Sequence, residues 1–200
     1  MVNPTLLLSY GASYKTFEKG ETIFSEGAQC YYYYQLSEGK VSWLNWSESG
    51  KEFIQQVLHP GECFGELPLF DHEPYAASAI ASEDSTILRL PKESFLTMLR
   101  EHPDLHFEFS KMMAGRLRMK FMLLTLLAYE CPEKRISTLL QYLKKKMISE
   151  TMVDDALFPV NFTRQQLANM TGLRVETVIR VIRNLEKKGV VQIDHGKVFL

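Results

Sequence analysis

Cysteine is scarce in this chain. Three thiols, Cys30, Cys63 and Cys131, are scattered through 200 residues. None forms a CxxC pair or a cysteine–histidine ligand spacing, which argues against a zinc module and against a disulfide framework. An oxygen-sensing iron–sulfur cluster would lack its usual four thiolates. Long apolar runs are missing too: no uncharged stretch is long enough to span a bilayer. Met1–Tyr10 has no basic region ahead of an apolar one, so it does not read as a signal peptide, and a cytoplasmic protein with no membrane partner is expected. The histidines show neither an HxH nor an HExxH spacing, so a metal enzyme on a cupin-like roll lacks its ligand set. His59, His72, His102 and His106 are the available axial ligands for a haem, but lone histidines of this kind are ordinarily surface or hydrogen-bonded residues.

Net charge is also small, −1, which taken alone disfavours a nucleic-acid partner. The distribution reverses that reading. Residues 1–131 carry 11 Lys+Arg against 17 Asp+Glu, whereas residues 132–200 carry 12 against 7. The basic share lies in the last third, where phosphate contact would need it.

From about 15 to 92 the chain reads as short strands broken by turn residues. Thr22–Phe24, Tyr31–Leu36, Lys40–Leu44, Glu52–Leu58, Ala76–Ala81 and Ser85–Leu90 predict a barrel or jelly roll. The run Tyr31–Tyr34 puts two rings on each face of a strand. Core and rim packing is the expected role, with a stacking platform for a ligand as the alternative. Pro91–Leu99 predicts a short helix, and Pro103 opens a longer one that runs to about residue 130. That helix has two apolar stripes. Leu105, Phe109, Met112, Met119, Leu123 and Leu126 form one, and Met113, Leu117, Phe121, Leu124 and Ala128 the other. A helix resting on one domain needs a single stripe. A second stripe at coiled-coil spacing implies a partner, and a second copy is the economical choice. Phe109, Met112, Met119, Leu123 and Leu126 are taken as that dimer seam.

Pro132 begins a new helix and marks a hinge. Ile136, Leu139, Leu140 and Leu143 give it an inner face, and it is expected to end near Lys144–Lys146, with a loop from Met147 to Leu157. Phe158–Phe162 reads as a short strand. Thr163 then caps a helix, with Gln166 completing a capping box. Gly172 supplies a tight turn. The next helix buries Val178, Val181, Ile182 and Leu185 and presents Glu176, Arg180 and Arg183. A short helix with a polar face of Arg and Glu suits the major groove. Val190–Ile193 and Val198–Leu200 flank Asp194-His195-Gly196-Lys197, a β-hairpin wing.

The run Thr163-Arg164-Gln165-Gln166-Leu167-Ala168, with Gly172, Glu176-Thr177-Val178, Arg180, Leu185-Glu186, Gly189 and the wing's His195-Gly196-Lys197, resembles the signature of the bacterial Crp/Fnr transcription regulators. Upstream, Gly61-Glu62-Cys63-Phe64-Gly65-Glu66-Leu67-Pro68-Leu69-Phe70 is similar to that family's cyclic-nucleotide-type roll, as are Glu21–Gly27 and Gly39-Lys40-Val41. The resemblance implies an α+β architecture. Residues 1–102 would form a double-stranded β-helix (jelly-roll) sensor domain, 103–131 a dimerisation helix, and 132–200 a winged helix-turn-helix. It also implies a homodimer on a near-palindromic duplex, with RNA polymerase as a further partner. Arg174, Glu176 and Arg180 would read base edges. Thr163, Arg164, Gln165, Thr177, Arg183, His195 and Lys197 would complete the DNA contact. One departure weakens the cap of the second helix: Arg174-Val175 stands where the family has a small polar cap and then an arginine.

The expected ligand pocket comprises Phe64, Gly65, Glu66, Leu67, Tyr75, Ala76, Lys120 and Phe121. Gly65 and Glu66 match a phosphate cassette's backbone amides and ribose carboxylate. Its arginine is replaced: Tyr75-Ala76-Ala77 stands in that register, and no Lys or Arg lies between Lys51 and Arg89. A buried cyclic phosphate would lack its counter-charge. Lys120-Phe121 stands where the family's cyclic-AMP sensors place small hydroxyl residues. No cofactor is expected, and cyclic AMP least of all. The rival readings are a cyclic-nucleotide-type regulatory module and a cupin-like metal enzyme.

Overall fold

The computed structural model describes residues 2–151 and 158–200. The chain divides into two compact units, Met1–Gly115 and Arg116–Leu200. The first begins with helix α1 (Pro4–Ser9), which Asn3 caps by accepting the Thr5 amide at 2.9 Å. Then come β1 (Ser13–Phe17), β2 (Thr22–Phe24), β3 (Tyr32–Glu38), β4 (Val41–Trp46), β5 (Glu52–Leu58) and β6 (Cys63–Phe64). Helix α2 (Leu67–Asp71), β7 (Ser78–Ala81), β8 (Ser85–Pro91) and helix α3 (Lys92–Glu101) follow. The strands make two four-stranded sheets, in the orders β1-β8-β3-β6 and β2-β7-β4-β5. Every pairing in them is antiparallel.

Alternation along the strands makes two cores. Tyr34 and Leu36 on β3, Phe64 on β6 and Ile87 on β8 point inward. They meet Phe24, Val41, Trp43, Leu58, Ala79 and Ala81 from the other sheet. Residues of opposite parity, Tyr33, Cys63, Leu88 and Leu90, point outward and are covered by Leu7, Phe95, Met98, Leu99 and Phe109. Helix α4 (Pro103–Tyr129) supplies Phe109 and continues into the second unit.

The second unit adds α5 (Pro132–Thr151), β9 (Pro159–Val160), α6 (Arg164–Thr171), α7 (Val175–Lys187), β10 (Gln192–Asp194) and β11 (Lys197–Phe199). The α4–α5 break is held by Arg135. Its Nε donates to the Glu130 carbonyl at 2.9 Å and its guanidinium to the Leu127 carbonyl at 3.0 Å, satisfying two of the acceptors a helix C-terminus leaves open. Lys188 bonds Glu133, joining the end of α7 to the start of α5.

Several expectations are corrected. The strands β1 and β6 and the helices α1 and α2 do not emerge from the sequence pattern. β1 buries only its last residue, so it carries no alternation to detect, and β6 has two residues. α5 runs to Thr151, past the expected end at Lys144–Lys146. The rest of the expected loop, 152–157, lies outside the described residues.

The expected seam residues lie on the covered side of α4 in the single chain. Phe109 is packed inside its own chain, 5.9 Å from the Tyr33 ring and 5.3 Å from Phe95. Met112 packs on the same core. Met119, Leu123 and Leu126 are buried within the chain as well. Of the second stripe, Leu117, Phe121 and Leu124 are 58%, 62% and 61% exposed, Ala128 is exposed and Met113 is half-buried; Phe107, outside that stripe as read from the sequence, is 71% exposed. Period alone cannot say which stripe of a two-striped helix faces its own domain.

Candidate nucleic-acid interface and sensor cradle

Helix α6 starts as its sequence dictates. Thr163 Oγ1 accepts the Gln166 amide at 3.1 Å, and Gln166 Oε1 accepts the Thr163 amide at 2.9 Å, a complete capping box. The box fixes the first turn, where Arg164 and Gln165 sit. Gln165 is exposed and donates to Asn169 Oδ1 at 2.8 Å. Arg164 is half-buried, and burial lowers its pKa. The chain turns at Gly172, φ 66°, a left-handed conformation that favours glycine.

Helix α7 buries Val178, Val181, Ile182 and Leu185. Glu176, Arg180 and Arg183 lie on the opposite face and are exposed. Arg174 is exposed at the N-cap and Thr177 is half-buried, with no side chain capping the helix. The wing closes through His195 (φ 44°) and Gly196 (φ 79°), between the paired residues Asp194 and Lys197. Two consecutive positive φ values are what a tight two-residue hairpin turn requires. His195 and Lys197 are exposed on it. The arrangement offers cationic side chains on a helix narrow enough for a major groove, plus the exposed Lys197 on the wing.

Phe64, Gly65, Glu66 and Tyr75 are buried, and Leu67 is half-buried. Ala76 is exposed, its carbonyl accepting from Asn45 Nδ2 at 2.8 Å. Lys120 and Phe121 belong to the other compact unit. The Glu66 side chain makes no capping hydrogen bond to α2.

Phe24 and Tyr34 complete the cradle, and sequence reasoning missed Phe24. The Tyr75 ring stacks on Phe24 at 3.8 Å and 11°. Phe24 also lies 5.5 Å from Tyr34 and 5.9 Å from Phe64. A Cβ placed on Gly65 would meet Phe24 Cζ at 2.7 Å and Tyr75 Cε1 at 3.1 Å. Phe24 and Tyr75 thus fill the space beside Gly65 that a side chain there would need. Burial raises the Tyr75 hydroxyl's pKa, and contacts with Cys30 and Tyr34 add to it. Burial likewise pushes Tyr34 up to about 12, with the Cys30 thiol adding and Arg89 opposing. Arg89 lies over the Tyr32 ring at 5.1 Å. Among the described residues no group of three or more His, Cys, Asp or Glu is placed to hold a metal ion. None of the described helices is long and apolar enough to cross a membrane.

Residues 14–102 match the cyclic nucleotide-binding domain, and residues 134–200 match the Crp-like helix-turn-helix domain. The cyclic AMP receptor protein of Thermus thermophilus is 32% identical over 96% of this chain and 85% of its own. The chain belongs to the Crp/Fnr family of transcription regulators. The anaerobic regulatory protein of Bacillus subtilis is 29% identical over 97% of this chain and 82% of its own. In architecture, FixK2 of Bradyrhizobium japonicum superposes with a TM-score of 0.78 at 22% identity, covering 94% of this chain and 92% of its own. Crp/Fnr proteins are DNA-binding regulators and not enzymes, and this chain is a regulator of that type, with the family's roll, long helix and winged helix-turn-helix. Members of the family bind effectors such as cyclic AMP or other small molecules. The cupin-like enzyme and the isolated regulatory module are set aside.

Proposed function

We propose that this Crp/Fnr regulator acts as a homodimer on a near-palindromic duplex without cyclic AMP in its sensor cradle. The observation that carries the DNA reading is the exposed row Glu176, Arg180 and Arg183 on α7, opposite its buried stripe. Arg174, Glu176 and Arg180 would contact base edges, where arginine pairs bidentately with guanine and glutamate accepts from cytosine. Thr163, Arg164, Gln165, Thr177 and Arg183 would hold phosphates, with His195 and Lys197 reaching from the wing. RNA polymerase is the further partner such a dimer would meet on promoter DNA.

The seam would be Phe107, Ser110, Ala114, Leu117, Phe121, Leu124 and Ala128. Their alternating steps of three and four are the a/d pattern of a two-stranded coil. This seam replaces the buried stripe and leaves the protomer's own packing intact.

The Thermus relative is named for cyclic AMP. Two features support a different outcome here. The space beside Gly65 is filled by the Phe24 and Tyr75 rings. No arginine stands at Tyr75 to pair a buried phosphate, and an unpaired buried anion is strongly disfavoured. Selection from a random duplex library tests the DNA reading. Enrichment of a two-fold site with half-sites about one helical turn apart is expected. Enrichment of an asymmetric site, or of none, would overturn it.

A further inference from the structure

A cavity of about 240 Å³ lies on the outer side of the β1-β8-β3-β6 sheet, away from the cradle. Strand alternation separates the two. Tyr34 and Phe64 face the roll interior, whereas their neighbours Tyr33 and Cys63 face outward and line this cavity. Val2 closes one side. Leu105, Phe109 and Met112, one turn apart on α4, form the opposite wall. Glu108 and Lys111 are exposed and mark the mouth, an i,i+3 pair 3.8 Å apart.

The lining defines the chemistry. Its buried polar groups are already engaged. The Tyr33 hydroxyl donates to Gln35 Oε1 at 2.7 Å, Gln35 Nε2 donates to the Val2 carbonyl at 3.0 Å, and the Cys63 thiol donates to Met112 Sδ at 3.3 Å. The cavity wall therefore offers no anchor for a charged or strongly polar ligand. The mouth carries one charge of each sign, which gives no net attraction to an anion or a cation. What remains is carbon, two aromatic rings and two polarisable sulfurs, a lining that favours aromatic contact. An apolar cavity of roughly 150 Å³ accommodates benzene, so this one has room for a ring with small substituents.

We propose that this cavity is a binding site for a small uncharged aromatic molecule, separate from the cyclic-nucleotide-type cradle. An occupant would touch α4 over two turns, and α4 is the helix that continues from this unit to Tyr129. Its occupancy would brace the start of that helix against the sheet.

The test uses the full chain labelled with ¹³C-methyl methionine and titrated with p-xylene, indole and indole-3-acetate. p-Xylene and indole should shift the Met112 methyl saturably and raise the thermal midpoint. The Met170 methyl, buried in the other unit, should not move. Indole-3-acetate should bind at least tenfold more weakly than indole. Leu105 is half-buried, so Leu105→Trp can plug the cavity without removing a core side chain, and it should abolish the shift. A second plug, Val2→Phe, guards against misfolding of the first. The proposal fails if Met112 does not respond up to the solubility of p-xylene. It fails equally if Met112 and Met170 shift together, if indole-3-acetate matches indole, or if both plugged variants fold and still respond.

Discussion

Replacing Phe121 with glutamate should convert the proposed dimer to monomer while leaving the protomer folded. Leu117, Phe121 and Leu124 are each 58–62% exposed in the single chain. Fully burying such a side chain is worth about 1.5–3 kcal/mol, so covering what remains exposed yields roughly 1–2 kcal/mol each. Six of them across two copies give about 6–12 kcal/mol, close to the roughly 4–15 kcal/mol that association costs. A dimer balanced this closely has little reserve. Phe121→Glu removes about 2–4 kcal/mol from the two copies together and sets like charges near one another across the seam. The dissociation constant should rise by at least ~100-fold, the equivalent of about 2.7 kcal/mol. Leu123→Ala is the matched control on the buried stripe. It should lower protomer stability by about 2–5 kcal/mol and leave the seam in place. Sedimentation velocity across micromolar concentrations, with thermal melts alongside, separates the two effects. A dimeric Phe121→Glu variant, or dissociation caused by Leu123→Ala with no loss of stability, would refute the assignment of the exposed stripe.

Other expectations follow from the same structure. Thr163→Ala breaks the capping box at α6 and should cost about 0.5–2 kcal/mol in urea denaturation; an unchanged midpoint would mean that the box does not stabilise the helix. Isothermal calorimetry should detect no tight cyclic AMP binding to the parent chain, since Phe24 and Tyr75 fill the space beside Gly65 and no arginine stands at Tyr75. Micromolar affinity would show that these rings swing aside. Arg135→Ala removes the donor to two carbonyls at the α4 terminus. It should speed amide exchange over residues 125–135, and unaltered exchange would show that other interactions hold the break.

Much of this molecule is legible in the sequence because its periods are strong. The Thr163 box, the Gly172 turn, the α7 stripe and the wing each pair a residue type with a backbone need, and all four stand in the structure. β5 matches its expected bounds, since Glu52–Leu58 is flanked by turn signals on both sides. What escapes are interactions made through space. Nothing in the order of residues says that Phe24 stacks on Tyr75, because the two lie on separate segments brought together only when the roll closes. The α4 stripes are both visible, but the packing of Tyr33 and Phe95 against Phe109 is not. Charge misleads at α5, where Lys144–Lys146 resembles a C-terminal turn yet the helix continues to Thr151.

The central claim is that α7 reads bases while the start of α6 holds the backbone, and paired substitutions test it most directly. Binding of Arg180→Ala and Arg164→Ala should be measured against the selected duplex, a half-site mismatch series and a salt series. Arg180→Ala should lose about 1–3 kcal/mol and relax preference at one position of each half-site. Arg164→Ala should weaken all duplexes alike and flatten the salt slope by roughly 0.9 for each phosphate that the variant no longer neutralises. Full retention of sequence preference by Arg180→Ala, or altered preference with an unchanged salt slope in Arg164→Ala, would contradict the account.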